Sequence, residues 1–143
     1  MTNKWDERFC GLAAQVAVWS KDPERKVGAV IVNPDRRVVG VGYNGFPRDV
    51  SDTAERLNNV EERRLMSVHA ETNAVLNAWS MRGSTLYSTS FPCAGCAGII
   101  IQAGISRVVA PLPEKDSSWA TSWDMALAMF KEAEVNTYLY RIR

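Results

Sequence analysis

The sequence predicts an α/β fold, a three-layer α/β/α sandwich around a five-stranded mixed sheet. Three observations lead there. Residues 27–32 and 38–43 are β-branched runs separated by Asn33-Pro34-Asp35-Arg36-Arg37, the pattern of an antiparallel hairpin with a longer loop. After residue 85, strand-like and helix-like segments alternate, which calls for parallel strands joined by crossover helices. The whole order is one helix, two strands, then three rounds of helix and strand. At 143 residues the chain is expected to be one domain, residues 1–143, long enough to bury a core.

The first helix is expected over residues 5–20, where Trp5, Phe9, Leu12, Ala13, Val16 and Trp19 recur at spacings of three or four. Asp22-Pro23 closes it, because proline lacks a donor and restricts the residue before it. Asn44-Gly45-Phe46-Pro47 punctuates the chain after the hairpin, and residues 48–59 read as a polar loop with a short helix. Residues 60–79 read as helical with a break before His69, and residues 85–89 as a strand. A small-residue helix follows over about 93–103, stopped by Gly104. Residues 108–110 form a short buried strand, 118–134 an amphipathic helix, and 135–142 the last strand.

Composition narrows the function classes. Apolar residues make up 46% and charged residues 23%, as in ordinary globular proteins. No apolar run approaches the ~20 residues of a membrane span, and the first residues lack the apolar core of a signal peptide. Three cysteines, an odd number, do not suggest a disulfide framework, and a reducing cytoplasm is the expected setting. With 17 basic and 16 acidic side chains the net charge is +1, which argues for a small substrate over nucleic acid. The run Glu61-Glu62-Arg63-Arg64 reads as a solvated helical face.

The chemistry concentrates in two stretches, Val68-His69-Ala70-Glu71 and Pro92-Cys93-Ala94-Gly95-Cys96. They hold the single histidine and two of the three cysteines. Cys93 and Cys96, three apart, share one face of a helix whose start Pro92 suits. The positive end of that helix favours the thiolate form that binds metal. His69, Cys93 and Cys96 therefore form a candidate three-ligand zinc site, with the fourth tetrahedral position left to a water whose pKa zinc brings to ~7. Glu71, not needed as a ligand, is a candidate acid-base residue. A Cys-x-x-Cys alone also fits a redox pair or half of a structural zinc site, but neither explains His69-Ala70-Glu71. The pair of motifs together is the H-x-E with P-C-x-x-C signature of zinc nucleobase deaminases. Cys10, in the first helix, reads as a small core residue.

Beyond that signature, the chain resembles the deoxycytidylate (dCMP) deaminases of phages and bacteria, within the cytidine deaminase superfamily. The resemblance runs from about residue 16 to residue 110. It includes Ser20-Lys21-Asp22-Pro23, Gly42-Tyr43-Asn44-Gly45-Phe46-Pro47, His69-Ala70-Glu71 and Ile101-Gln102-Ala103-Gly104-Ile105. It implies a cytidine deaminase-like fold and hydrolysis of dCMP to dUMP and ammonia, a supply for thymidylate synthesis. The same chemistry on dCTP, a modified dCMP or another cytosine or adenine substrate is the alternative. The resemblance gives His69, Cys93 and Cys96 as ligands of one catalytic zinc and Glu71 as the proton shuttle. Ala70 is implied to hold the pyrimidine O2 through its N–H, and Asn44 and Trp119 to contact the nucleotide. Asn44-Gly45 also reads as a turn and Trp119 as core packing of the last helix; Trp123 is assigned to the core. It further implies a homo-oligomer, a hexamer by preference, responding to dCTP and dTTP, with Mg2+ accompanying the effector. Asp22, Lys26, Gly42, Asn44 and Gly45 are the candidate regulatory residues. Lys21, Arg25, Lys26, Arg48 and Arg56 are candidates for the phosphate. A second, structural zinc is not expected, because the spare ligands are missing.

Overall fold

The computed structural model describes residues 3–142. The five strands are β1 (Gly28–Val32), β2 (Val38–Tyr43), β3 (Thr85–Ser88), β4 (Arg107–Pro111) and β5 (Asn136–Tyr140), in the order β2-β1-β3-β4-β5. β1 runs antiparallel to β2 and β3, whereas β3, β4 and β5 are parallel. The mixed sheet is therefore the expected one. The six helices are α1 (Lys4–Ala17), α2 (Ala54–Asn58), α3 (Val60–Met66), α4 (Ala70–Asn77), α5 (Ala94–Gln102) and α6 (Ala120–Glu132). None is long and apolar enough to cross a membrane.

Alternation along the strands divides the apolar residues between two faces. On one, Val30, Val32, Tyr87 and Val109 meet Phe9, Ala13 and Val16 of α1. On the other, Ala29, Ile31, Leu86, Val108 and Ala110 meet Ala70 and Ala74 of α4, Ala97 and Ile100 of α5, and Ala126 and Phe130 of α6. The layers are thus one helix, the sheet, and three helices. Close approach requires glycine on both sides. A Cβ on Gly28 would lie 2.1 Å from the Ala13 carbonyl oxygen, and one on Gly42 would lie 2.3 Å from the Ala74 nitrogen.

Two expectations need correction. Helix α1 ends at Ala17, three residues early, because residues 18–20 bond to carbonyls three back and tighten the last turn. Trp19 therefore leaves the apolar stripe; it is 54% exposed and stands edge-on to Tyr43. The run Glu61-Glu62-Arg63-Arg64 is not uniformly solvated, since Arg63 is 3% exposed. The break before His69 is present, with Ser67, Val68 and His69 between α3 and α4, and an antiparallel bridge from Gly45 to Val68 pins it.

One edge of the sheet gathers the polar segments. The chain entering β1 lies beside the chain leaving β2 and β3, since Gly28 pairs with Tyr43 and Ala29 with Ser88. The carboxyl end of β4 opens on the same edge, the usual place for a ligand in an α/β sheet.

Candidate active site

Two helix starts build the centre of this edge. His69 is the N-cap of α4, in extended conformation and with no side-chain capping bond, so its imidazole is free to face the neighbouring helix. Cys93 is the N-cap of α5, and its sulfur accepts the Cys96 N–H at 3.5 Å. His69 Nδ1 lies 3.4 Å from Cys93 Sγ and 3.4 Å from Cys96 Sγ. A tetrahedral zinc with its usual bond lengths needs N···S separations of about 3.6 Å. The three donor atoms fit such an ion closely, and an imidazole with two thiols suits zinc over harder cations. They are the one such cluster among the described residues. Cys10 lies on the opposite face of the sheet, where burial pushes its thiol up to about 11.

The electrostatics favour a thiolate at Cys93. Cys93 is drawn down to about 4, first by the hydrogen bond from the Cys96 thiol and then by His69, while Cys96, as the donor to Cys93 and a buried group, is pushed up. The hydrogen bond to Cys93 also raises His69.

Glu71 is 4% exposed, in the first turn of α4, and its Oε1 accepts the Ser88 hydroxyl at 2.8 Å. Burial raises its carboxyl above the ordinary range, and the Ser88 bond offsets only part of that. It forms no ion pair among the described residues and is not a member of the donor cluster. A buried carboxyl beside a metal set, raised by burial and without an ion-pair partner among the described residues, is suited to taking up and releasing a proton.

A cleft of about 580 Å³ opens over this centre, within the usual size for small-molecule sites. His69, Ala70, Glu71, Asn44 and Trp119 all line it. The Trp119 ring stands edge-on to His69, 6.1 Å between centroids, and also packs against the core. Trp123 is a core residue, 5% exposed, whose Nε1 donates to the Phe91 carbonyl and whose ring also lines the cleft. Asn44 is engaged twice by the β1 entry loop, Oδ1 accepting the Val27 N–H and Nδ2 donating to the Arg25 carbonyl, each at 2.9 Å.

Of the phosphate candidates, Arg25 and Lys26 line the cleft and Lys21, Arg48 and Arg56 do not; Lys21 pairs with Asp52 and Arg56 donates to the Ser51 carbonyl. Arg25 bonds Ser90 Oγ and lies over the Trp123 ring, 5.7 Å from its centroid. The candidate regulatory residues are not all in one place. Asp22, Lys26 and Asn44 line this same cleft, Gly42 lies against α4, and Gly45 bridges to Val68. Arg63, Arg64, Ser67, Ser88 and Ser90 join the site without having been singled out from the sequence, where the charged run read as solvated and isolated serines carry no signal.

The comparisons agree with this architecture. Residues 3–112 match the family described as the cytidine and deoxycytidylate deaminase zinc-binding region, and the chain belongs to that family. An uncharacterized deaminase from Aliivibrio fischeri is 43% identical over 138 residues, covering 94% of this chain and 92% of that protein. The human deoxycytidylate deaminase is 43% identical over 115 residues, 74% of this chain; the match spans 64% of the human protein's length. Among solved structures, the dCMP deaminase of cyanophage S-TIM5 in apo form superposes with a TM-score of 0.74 at 25% identity, covering 96% of this chain and 98% of that one.

Proposed function

We propose that this deaminase converts dCMP to dUMP and ammonia. The observation that carries the reading is Glu71: a buried carboxyl two residues from His69, outside the donor set, held by Ser88 at the floor of a cleft with arginine and lysine at its rim. The likeness to proteins named deoxycytidylate deaminase supplies the substrate.

Bound at His69, Cys93 and Cys96, zinc would supply an acidified water. Every further step falls to the protein. Glu71 takes the proton of that water and delivers it to N3 of the cytosine, then passes a second proton to the departing amine. Oxygen adds to C4 first, and the C4–N bond breaks only once Glu71 has moved the remaining hydroxyl proton to the amine, so one water is consumed and one ammonia leaves. The Ala70 N–H, at the positive start of α4, holds the pyrimidine O2. Trp119 flanks the base, Asn44 keeps the β1 entry loop against the nucleotide, and Arg25 with Lys26 takes the 5′-phosphate. The proposal extends to a homo-oligomer, a hexamer by preference, regulated by dCTP and dTTP with Mg2+, through Asp22, Lys26, Gly42, Asn44 and Gly45. That extension rests on resemblance.

The test is ammonia release by the zinc-loaded protein from dCMP, deoxycytidine, dCTP and a 5-substituted dCMP, each with and without dCTP or dTTP as effector. dCMP is expected to give the highest kcat/KM. Preference for deoxycytidine overturns the nucleotide reading.

A further inference from the structure

We infer that Arg63 is a positioning residue that sets the cleft's selectivity for a phosphate-bearing substrate, by masking two carboxylates at its mouth. The inference rests on the nucleotide reading above. Arg63 belongs to a short charged helix, yet every nitrogen of its guanidinium is engaged. Nη1 donates to the Leu57 carbonyl at 2.6 Å, Nη2 meets Glu24 Oε2 at 2.8 Å, and Nε meets Asp22 Oδ2 at 3.4 Å. A guanidinium that is 3% exposed persists only where partners compensate its charge.

Both carboxylates line the cleft, and so do Arg25, Lys26 and Arg64, which form no ion pair among the described residues. Arg63 is thus spent on the acids, while the other three cations stay available to an anion. The second oxygen of Asp22 accepts the N–H groups of Glu24 and Arg25, each at 2.9 Å. Through Asp22, Arg63 therefore also fixes the backbone that carries Arg25. Without Arg63, two bare carboxylates would stand beside those cations and oppose a phosphate dianion. An uncharged nucleoside would not feel the change, so the effect must be selective between the two ligands.

The experiment compares the zinc-loaded wild type with Arg63→Met, Arg63→Lys and Glu24→Gln. Kd is measured by calorimetry and KM and kcat by ammonia release, with dCMP and with deoxycytidine. Arg63→Met is expected to raise Kd and KM for dCMP about tenfold, with deoxycytidine and kcat changed less than about twofold, and Arg63→Lys to recover part of the loss. Glu24→Gln should act in the opposite direction, tightening dCMP about two- to threefold. The Glu24 side chain is 58% exposed, so this variant decides the matter if Arg63→Met does not fold. An equal loss for both ligands makes Arg63 merely structural and overturns the inference, as does Glu24→Gln without tighter dCMP binding. Wild-type protein that binds dCMP but releases no ammonia defeats the proposed reaction and leaves the inference about Arg63 standing. Wild-type protein that binds deoxycytidine and dCMP equally defeats the inference.

Discussion

Strand β3 separates two buried carboxylates. Tyr87 and Ser88 are neighbours, so their side chains leave opposite faces of the sheet, and each donates a hydrogen bond to an acid there. On the α1 face, Asp6 Oδ1 accepts Tyr87 at 2.7 Å, and Arg107 grips both carboxylate oxygens at 2.8 and 2.7 Å. On the other face, Glu71 has Ser88 and no ion pair among the described residues. The two are almost equally buried, at 1% and 4% exposed, yet the Arg107 bond pulls Asp6 below the ordinary value whereas burial pushes Glu71 above it. Burial does not decide what a carboxylate does. A matched guanidinium fixes the charge of Asp6 and makes it a structural tie, and its lack leaves Glu71 able to exchange a proton.

The widest test of that contrast is Glu71→Gln. It should lower kcat by about 10²- to 10⁴-fold, with zinc content kept at one per chain and no fall in Tm, because a neutral amide replaces a carboxylate whose burial was unfavourable. Ammonia release, metal analysis and calorimetry check the three parts. Full activity in Glu71→Gln would remove Glu71 from catalysis.

Asp6→Asn should do the converse. Removing one partner of a buried ion pair destabilises by about 3 kcal/mol, the low end of the usual range because part of Arg107 reaches solvent. Urea unfolding measures that loss, while kcat per folded molecule stays unchanged. The pH dependence has a definite sign. The folded Asp6 carboxyl lies below the ordinary 3.8, so the unfolded chain takes up the proton first. Its contribution is complete above that ordinary value and disappears as pH falls through the lower folded one. Tm of the wild type should therefore drop towards Tm of Asp6→Asn in acid, and parallel curves would show that Asp6 carries no such linkage.

The same contrast explains what could be read from the sequence. The donor set and Glu71 were legible because metal chemistry demands His69, Cys93 and Cys96 at local spacings that a helix start converts into geometry. The strands and the break before His69 were legible for a similar reason, since β-branched runs and turn residues act locally. Asp6 was not legible, because its partner Arg107 is 101 residues away and nothing near Asp6 reports that contact. Arg63 was misread for the same cause: a charged run looks solvated until the loop holding Asp22 and Glu24 folds over it. Trp19 failed on a finer point, because periodicity continues through a turn that the backbone has already tightened. Trp123 is in the core as assigned, but only the fold turns its ring towards Arg25.

The smallest predicted effects come from the two donors on β3. Ser88→Ala takes away the one side-chain hydrogen bond given to Glu71 among the described residues, so kcat should fall about 3- to 10-fold as the carboxyl loses its fixed orientation, while stability changes little. Tyr87→Phe removes a bond to an ionised group that Arg107 continues to hold, so the loss should be about 1.5 kcal/mol of stability with kcat untouched. Urea titrations and steady-state rates on both variants give a two-by-two outcome. Two neighbouring residues, each stripped of one hydroxyl, should affect different properties, because one of the acids they serve is paired with a guanidinium and the other lines the cleft beside the metal donors. If both substitutions lowered stability alike and spared kcat, the Ser88 bond would be a packing contact, and the freedom of Glu71 would have to come from elsewhere in the cleft.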